Sequence, residues 1–380
     1  MRNKTLILGT GFAMFSMFFG SGNLVFPVLV GQQSNGHFAL ASLGIFLTGV
    51  LVPFLGAIAM LLFRGKTDDF FAVLGKKASF LIPLFALSLM GPFGVLARCI
   101  TVAHGSFAQI FPHIGLATFS AVFCAIIFLA TIKKSRVVTL LGSILTPILL
   151  ISLLSIAYQG LTQAELPLIE NEEGFQAFKN GIFQGYQTMD LLAAFFFSTF
   201  VLHHIQKKVS KDCDSQSLFK LALSSSLVGM SILSFIYFLL VLLGAAYANQ
   251  LSGVSPERML GFIAEHALGP QGSLVVCAAV VTACFTTGVV LSSLFADFIK
   301  KEICQDKLNP KLSSIITLSI AFGISTLEFS GIARFIAPIL TTIYPALIVL
   351  TFLNLGNKIR GIKVVRWPIA LALFFRLLTS

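Results

Sequence analysis

The chain has 380 residues, of which 56% are hydrophobic and 11% charged, and it carries a formal net charge of +11. Soluble domains hold about 25% charged residues, so this composition excludes a water-soluble globular fold and makes lipid the natural surroundings. The six cysteines (Cys99, Cys124, Cys213, Cys277, Cys284 and Cys304) lack metal-ligand spacing, and none falls in a segment expected outside, so no disulfide framework is expected.

About 17–25 apolar residues cross roughly 30 Å of hydrocarbon as a helix. Runs of this kind predict roughly eleven spans, at 5–30, 37–63, 79–111, 114–132, 137–159, 175–205, 217–248, 271–298, 312–327, 329–355 and 364–379. They lack the polar–apolar alternation of a lipid-facing barrel. The first run is too long for a cleaved signal peptide and carries Gly20-Ser21-Gly22-Asn23 in its middle instead of a cleavage site at its end. Polar gaps at 110–115 and near Leu327 separate the third from the fourth span and the ninth from the tenth. The loop at 159–174, with Glu165, Glu170, Glu172 and Glu173, reads as a solvated outer face, and Ser255–Leu268 as a short helix at the outer surface. The chain, 1–380, is therefore one all-α, polytopic membrane domain.

Lysine and arginine are retained on the cytoplasmic side of membranes. With the amino terminus inside, the inner segments collect Arg2 and Lys4; Arg64, Lys66, Lys76 and Lys77; Lys133, Lys134 and Arg136; Lys207, Lys208, Lys211 and Lys220; Lys300, Lys301, Lys307 and Lys311; and Lys358, Arg360, Lys363 and Arg366. The outer segments hold only Lys179, Arg258, Arg334 and Arg376, and Arg98 lies within a span. The amino terminus is thus expected in the cytoplasm and the carboxyl terminus outside. The basic loops face anionic headgroups, which explains the positive charge without nucleic acid.

Two spans contain signs of interrupted helix. The first carries Gly20-Ser21-Gly22-Asn23 and then Phe26-Pro27; the sixth carries Gly181 and Gly185-Tyr186-Gln187-Thr188-Met189-Asp190. Glycine lets the backbone leave helical angles, and Asn, Thr and Asp can cap the half-helix that restarts. Unpaired backbone at this depth is tolerated only where it is packed in protein or lines a cavity. An odd separation of five spans makes the two run in opposite directions, the arrangement of a substrate site between inverted repeats. Here the repeats would be 5–159 and 175–355, with 364–379 as an additional span. Half-helix amino ends would direct N–H groups at a carboxylate, and carboxyl ends would face an ammonium or a metal cation. The bland alternative is that these glycines only allow close helix packing.

The segments GSGNLVFP (Gly20–Pro27), GYQTMD (Gly185–Asp190), ACFTTG (Ala283–Gly288) and LTTIYP (Leu340–Pro345) resemble signature stretches of the branched-chain amino acid:cation symporters, the BrnQ-type carriers. Arg98, after Gly91-Pro92, is similar to that family's third-span arginine. The resemblance runs to about residue 355 and implies a LeuT-like fold of two inverted five-helix repeats in a bacterial inner membrane. It implies that Gly20, Ser21, Gly22 and Asn23 in the first break, and Gly185, Tyr186, Gln187 and Thr188 in the second, hold the substrate. It also implies that Thr286 and Thr287 on the eighth span bind Na+ together with Gly20 and Asn23, although such hydroxyls commonly bond back to their own helix. Family members usually have a twelfth span, and this chain ends at Ser380 after the eleventh.

Arg98 and Asp190 are the formal charges expected well inside the membrane, where each costs about 2.5–3.5 kcal/mol at a helix centre on insertion scales. They are expected to approach each other as a buried pair. That pair either responds to the cation during transport or balances statically, with Asp190 capping the lower half of the sixth helix. No HExxH, GxSxG or Walker sequence is present, so neither an enzyme nor an ATP-driven pump is expected. The expected function is import of leucine, isoleucine or valine by cation symport and alternating access. No cofactor is expected beyond Na+ as coupling ion, and no obligate protein partner. Sodium is favoured because no carboxylate lies near the first break or on the eighth-span motif; Asp190 keeps proton coupling open, and a carrier of another neutral solute is the alternative.

Overall fold

The computed structural model describes residues 2–132, 146–164, 174–208, 215–362 and 364–379. The basic loop at 133–136, the acidic residues at 165–173, Lys211, Cys213 and Lys363, and the start of the fifth span lie outside the described residues. All regular structure among the described residues is helical.

The first span is broken into α1 (Arg2–Phe18) and α2 (Ser21–Gln32), which meet at a 72° bend. Gly20 leaves the helix at φ −117°, ψ −156°, and its N–H is recovered by Asn23 Oδ1 at 3.1 Å, as in a capping box. Pro27 inside α2 has no N–H, so the Asn23 carbonyl, four residues earlier, lacks its helical donor. The second span, α3, runs Phe38–Leu62 and contains a π-helical turn at Leu47–Leu51.

The third span was expected to run unbroken over 79–111. It is instead interrupted at Gly91-Pro92-Phe93-Gly94, giving α4 (Lys76–Met90) and α5 (Val95–Phe107). Pro92 cannot donate to the ladder, and Gly94 sits so close to the Leu89 carbonyl and the Ile336 side chain that a Cβ has no room. The next helices are α6 (Leu116–Ile132) and α7 (Thr146–Gln163).

The sixth span consists of α8 (Gly174–Gln187) and α9 (Asp190–Lys208). Its interruption at Thr188-Met189 is milder: Met189 takes a left-handed φ of 61°, yet Gly174–Gln206 keeps the course of one span. Then come α10 (Ser215–Ala246), α11 (Met259–Leu268), α12 (Pro270–Phe298), α13 (Pro310–Ser325), α14 (Glu328–Arg360) and α15 (Trp367–Thr379). α11 is the short helix expected at Ser255–Leu268, preceded by a 3₁₀ turn at Pro256–Arg258.

Among the described residues, six helices are long and apolar enough to cross a membrane, and the bent pair α1–α2 makes a seventh; α6 and α13 are shorter apolar helices. Large apolar side chains point outward, with Leu129 63% and Ile151 65% exposed, the reverse of a water-soluble surface. Both halves of the first span run along α10, and both halves of the sixth run along α3. The first interrupted span therefore rests on α10 and the sixth on α3, while α5 packs on α12. This exchanged packing brings the two breaks together at the centre.

Candidate functional site

Asn23 of α2 joins the two breaks. Its Oδ1 is committed to Gly20 N–H, so its amide presents Nδ2, which donates to Asp190 Oδ2 at 2.7 Å. Tyr237 of α10 donates its hydroxyl to the same oxygen at 2.8 Å and accepts from Asn23 Nδ2. Asn23, Asp190 and Tyr237 are each no more than 2% exposed. A buried carboxylate with two donors on one oxygen is a charge-assisted junction of three helices. Tyr237 was not singled out in the sequence. A tyrosine in an apolar span reads as packing, although the chain has only five tyrosines against 39 phenylalanines, and a deliberate hydroxyl was the available signal.

Around this junction the backbone remains open. Leu24 N–H is the first in α2 to reach a helical carbonyl, that of Gly20 at 3.2 Å. The N–H groups of Ser21, Gly22 and Asn23 therefore form the helix start, where a partial positive charge gathers. Gly22 lies against the second break: a Cβ there would stand 3.2 Å from Thr188 Cα. Thr188 Oγ1 donates to Gly185 O at 2.9 Å and accepts from Asp190 N–H at 3.4 Å, capping α9. Tyr186 packs at a tilt against Tyr344 of α14 with ring centroids 4.9 Å apart.

The expected direct pairing of Arg98 with Asp190 is not formed. Arg98 Nη1 and Nη2 donate to Gln187 O and Oε1 at 2.9 and 3.0 Å, and its guanidinium lies by the Phe26 and Phe329 rings. The break in the sixth span supplies the reason: it frees the last carbonyl of α8, which takes the guanidinium, while Asp190 finds neutral donors on the far side.

Gly185 also has a packing role. A Cβ on it would collide with Thr48 Oγ1 and the Gly49 backbone of α3, and one on Gly181 with the Ala41 carbonyl. These two glycines, four apart, let α8 and α3 pack closely, leaving Gly185 only its carbonyl toward the break. Asn23, with its side-chain oxygen held by Gly20 N–H and its donor turned to Asp190, bridges the two breaks.

Thr287 of α12 reaches the first break. Its Oγ1 lies 3.5 Å from Phe19 O, and a Cβ on Gly20 would meet Thr287 side-chain atoms at 3.0–3.3 Å. Thr286 Oγ1 bonds back to Ala283 O at 2.8 Å, the bland arrangement for a helical threonine. Ser21 Oγ accepts from Cys99 Sγ at 3.5 Å, fixing α2 to α5. A separate cavity of about 740 Å³ opens between α3 and α10 with Tyr237 in its wall. Its rim includes the exposed Leu43, Phe46 and Phe235, so it faces lipid and is not the polar site.

A family profile described as "Branched-chain amino acid transport protein" matches residues 2–380. The chain belongs to the branched-chain amino acid transport protein family. The relatives include the branched-chain amino acid permease BraB of Bacillus subtilis (strain 168), 31% identical over 373 residues that cover 93% of this chain and 80% of the relative. The branched-chain amino acid permease BrnQ of Salmonella typhimurium (strain LT2) is 28% identical over 357 residues, 91% of this chain and 80% of the relative. Among solved structures, Mhp1, a nucleobase–cation–symport-1 family transporter in a closed conformation, gives a TM-score of 0.67 at 13% identity, covering 97% of this chain and 91% of its own. MhsT in complex with L-phenylalanine gives 0.63 at 17% identity, covering 98% of both chains. These two likenesses establish the LeuT-like fold expected from the sequence. This family member is a multi-pass membrane transporter, and the family and its relatives are permeases, not enzymes.

Proposed function

We propose that this transporter imports branched-chain aliphatic amino acids together with a sodium ion, by alternating access. The observation that carries the reading is the Asn23–Asp190–Tyr237 junction, which ties two interrupted helices at the centre of the bundle. The α2 amino end at Ser21–Gly22 suits the substrate carboxylate, and the carbonyls at the end of α8 suit its ammonium. Tyr186, Gln187 and Thr188 flank that helix end, with Thr188 against Gly22. The aliphatic side chain would add about 1.5–3 kcal/mol on full burial, against the aromatic surfaces of Phe26, Tyr186, Phe329 and Tyr344.

Thr287 Oγ1 and Phe19 O, beside Gly20, are neutral oxygens suited to a hard monovalent cation, with Thr286 available on rotation of its hydroxyl. The permeases BrnQ and BraB bear the substrate class in their names, which supports leucine, isoleucine and valine here. Residues 5–159 and 175–355 are read as the two inverted repeats, supported by the exchanged packing of the broken spans on α10 and α3. The distribution of lysine and arginine supports a cytoplasmic amino terminus in a bacterial inner membrane. The buried Asp190 favours proton coupling as the second reading.

Uptake of labelled leucine into proteoliposomes tests both. Saturable uptake competed by isoleucine and valine, and lost when choline replaces sodium at fixed pH, is expected. Uptake undiminished in choline would overturn sodium coupling, and no competition by aliphatic amino acids would overturn the substrate class.

A further inference from the structure

Arg98 is a buried cation without an anion. It is 1% exposed, and no ion pair engages it among the described residues. Its Nε–H has no hydrogen-bond partner, and two aromatic rings lie 5.3 and 5.7 Å from its guanidinium carbon. A charge enclosed this way is costly unless a counter-charge completes it. Gln187 meets it with two neutral oxygens, one on each terminal nitrogen of the fork. Two oxygens on two guanidinium nitrogens is the pattern a carboxylate provides in a bidentate pair. One of them, Gln187 O, ends α8 and carries the partial negative charge that an ammonium seeks. Arg98 also lies beside α2: its neighbour Cys99 touches Ser21, and its own guanidinium faces Phe26, one turn beyond Gly22.

The geometry points to a partner exchange that selects zwitterions. This rests on the amino-acid transport reading above: the substrate carboxylate and Gln187 compete for the same two nitrogens of Arg98. An entering amino acid places its carboxylate between Arg98 and the α2 amino end. Gln187 O, released, then receives the substrate's ammonium. An amine without a carboxylate cannot free Gln187 from Arg98, and an acid without an amine leaves the freed carbonyl unpaired. Only a molecule with both charges satisfies both groups, so Arg98 and Gln187 together form the specificity device.

The test is equilibrium binding of labelled leucine to the purified full-length protein, with competition by leucinamide, which lacks the carboxylate charge, and by 4-methylpentanoate, which lacks the amine. In the wild type, leucine is expected to bind at least about a hundredfold tighter than either analogue, the scale of an unpaired buried charge. Arg98→Gln should weaken leucine by about a hundredfold and leucinamide far less, so that the advantage of leucine collapses. Gln187→Glu gives Arg98 a permanent anion and should weaken leucine by a similar factor while leaving Arg98 in place. Equal weakening of leucine and leucinamide by Arg98→Gln would reduce Arg98 to a packing residue and overturn the inference. Wild-type leucine affinity in Gln187→Glu would overturn it too, and that variant decides alone if Arg98→Gln does not fold. A wild-type protein that binds no aliphatic amino acid would instead refute the functional reading on which the exchange rests.

Discussion

Replacing Tyr237 by Phe removes one oxygen and little else, because the ring stays packed in α10. The lost hydroxyl donates to Asp190 Oδ2 at 2.8 Å and accepts from Asn23 Nδ2. A hydrogen bond to a charged group contributes about 1.5–3 kcal/mol, and at 1.4 kcal/mol per tenfold this is about ten- to a hundredfold in an equilibrium or rate constant. Asp190 keeps Asn23 as a donor, so the carboxylate is weakened and not orphaned. The assay is initial-rate leucine uptake in proteoliposomes for Tyr237→Phe, Asn23→Ala and the double variant. Thermal unfolding in detergent would be measured on the same preparations. The expected result is a fall in kcat/KM of at least about tenfold for Tyr237→Phe. The double variant should show a coupling of about 1 kcal/mol or more, since the two side chains share one carboxylate oxygen. Wild-type uptake by Tyr237→Phe, or losses that add independently, would refute the idea that these three groups act as one junction.

Two glycine substitutions should separate site from scaffold. Gly22→Ala puts a methyl 3.2 Å from Thr188 Cα and should abolish leucine binding with a modest change in melting temperature. Gly185→Ala drives a methyl into Thr48 and Gly49 of α3 and should lower thermal stability first, by about 1–3 kcal/mol as for an overpacked core. For the cation, Thr287→Val should raise the sodium concentration for half-maximal uptake about tenfold at unchanged saturating rate. Thr286→Val, whose hydroxyl already bonds to Ala283 O, should do less; the reverse order in a sodium titration would count against the proposed cation position.

Most of the chain's course was legible because hydropathy and glycine carry separate messages. Apolar runs marked the spans, and polar residues clustered with glycine inside such runs marked the breaks at Gly20 and Thr188. The break at Gly91–Gly94 has no polar residue within it, unlike the breaks at Gly20 and Thr188, so nothing there advertises the free backbone. Arg98 and Asp190 were expected to pair because opposite charges in a membrane seek each other. What the sequence hides is that Gln187 at the sixth-span break offers neutral acceptors to Arg98, while Asn23 and Tyr237 offer neutral donors to Asp190. Gly185 shows a further limit: the same residue type serves a substrate cavity and a tight helix contact, and only the face it turns to α3 decides between them. The role of Tyr237 depends on a contact 214 residues from Asn23, which no local pattern records. Some of the 39 phenylalanines acquire a use in three dimensions: Phe63, Phe70, Phe71 and Phe195 pack edge-to-face or tilted around the short helix Thr67–Phe71.

Backbone groups stand open at the two helix breaks, and hydrogen–deuterium exchange with and without saturating leucine reads them directly. Peptides covering Phe19–Leu24 and Gly185–Leu191 are predicted to slow their exchange together when leucine is bound, more than the spans that flank them. Leucine binding in the same sample with unchanged exchange at both segments would contradict a site built from these helix ends.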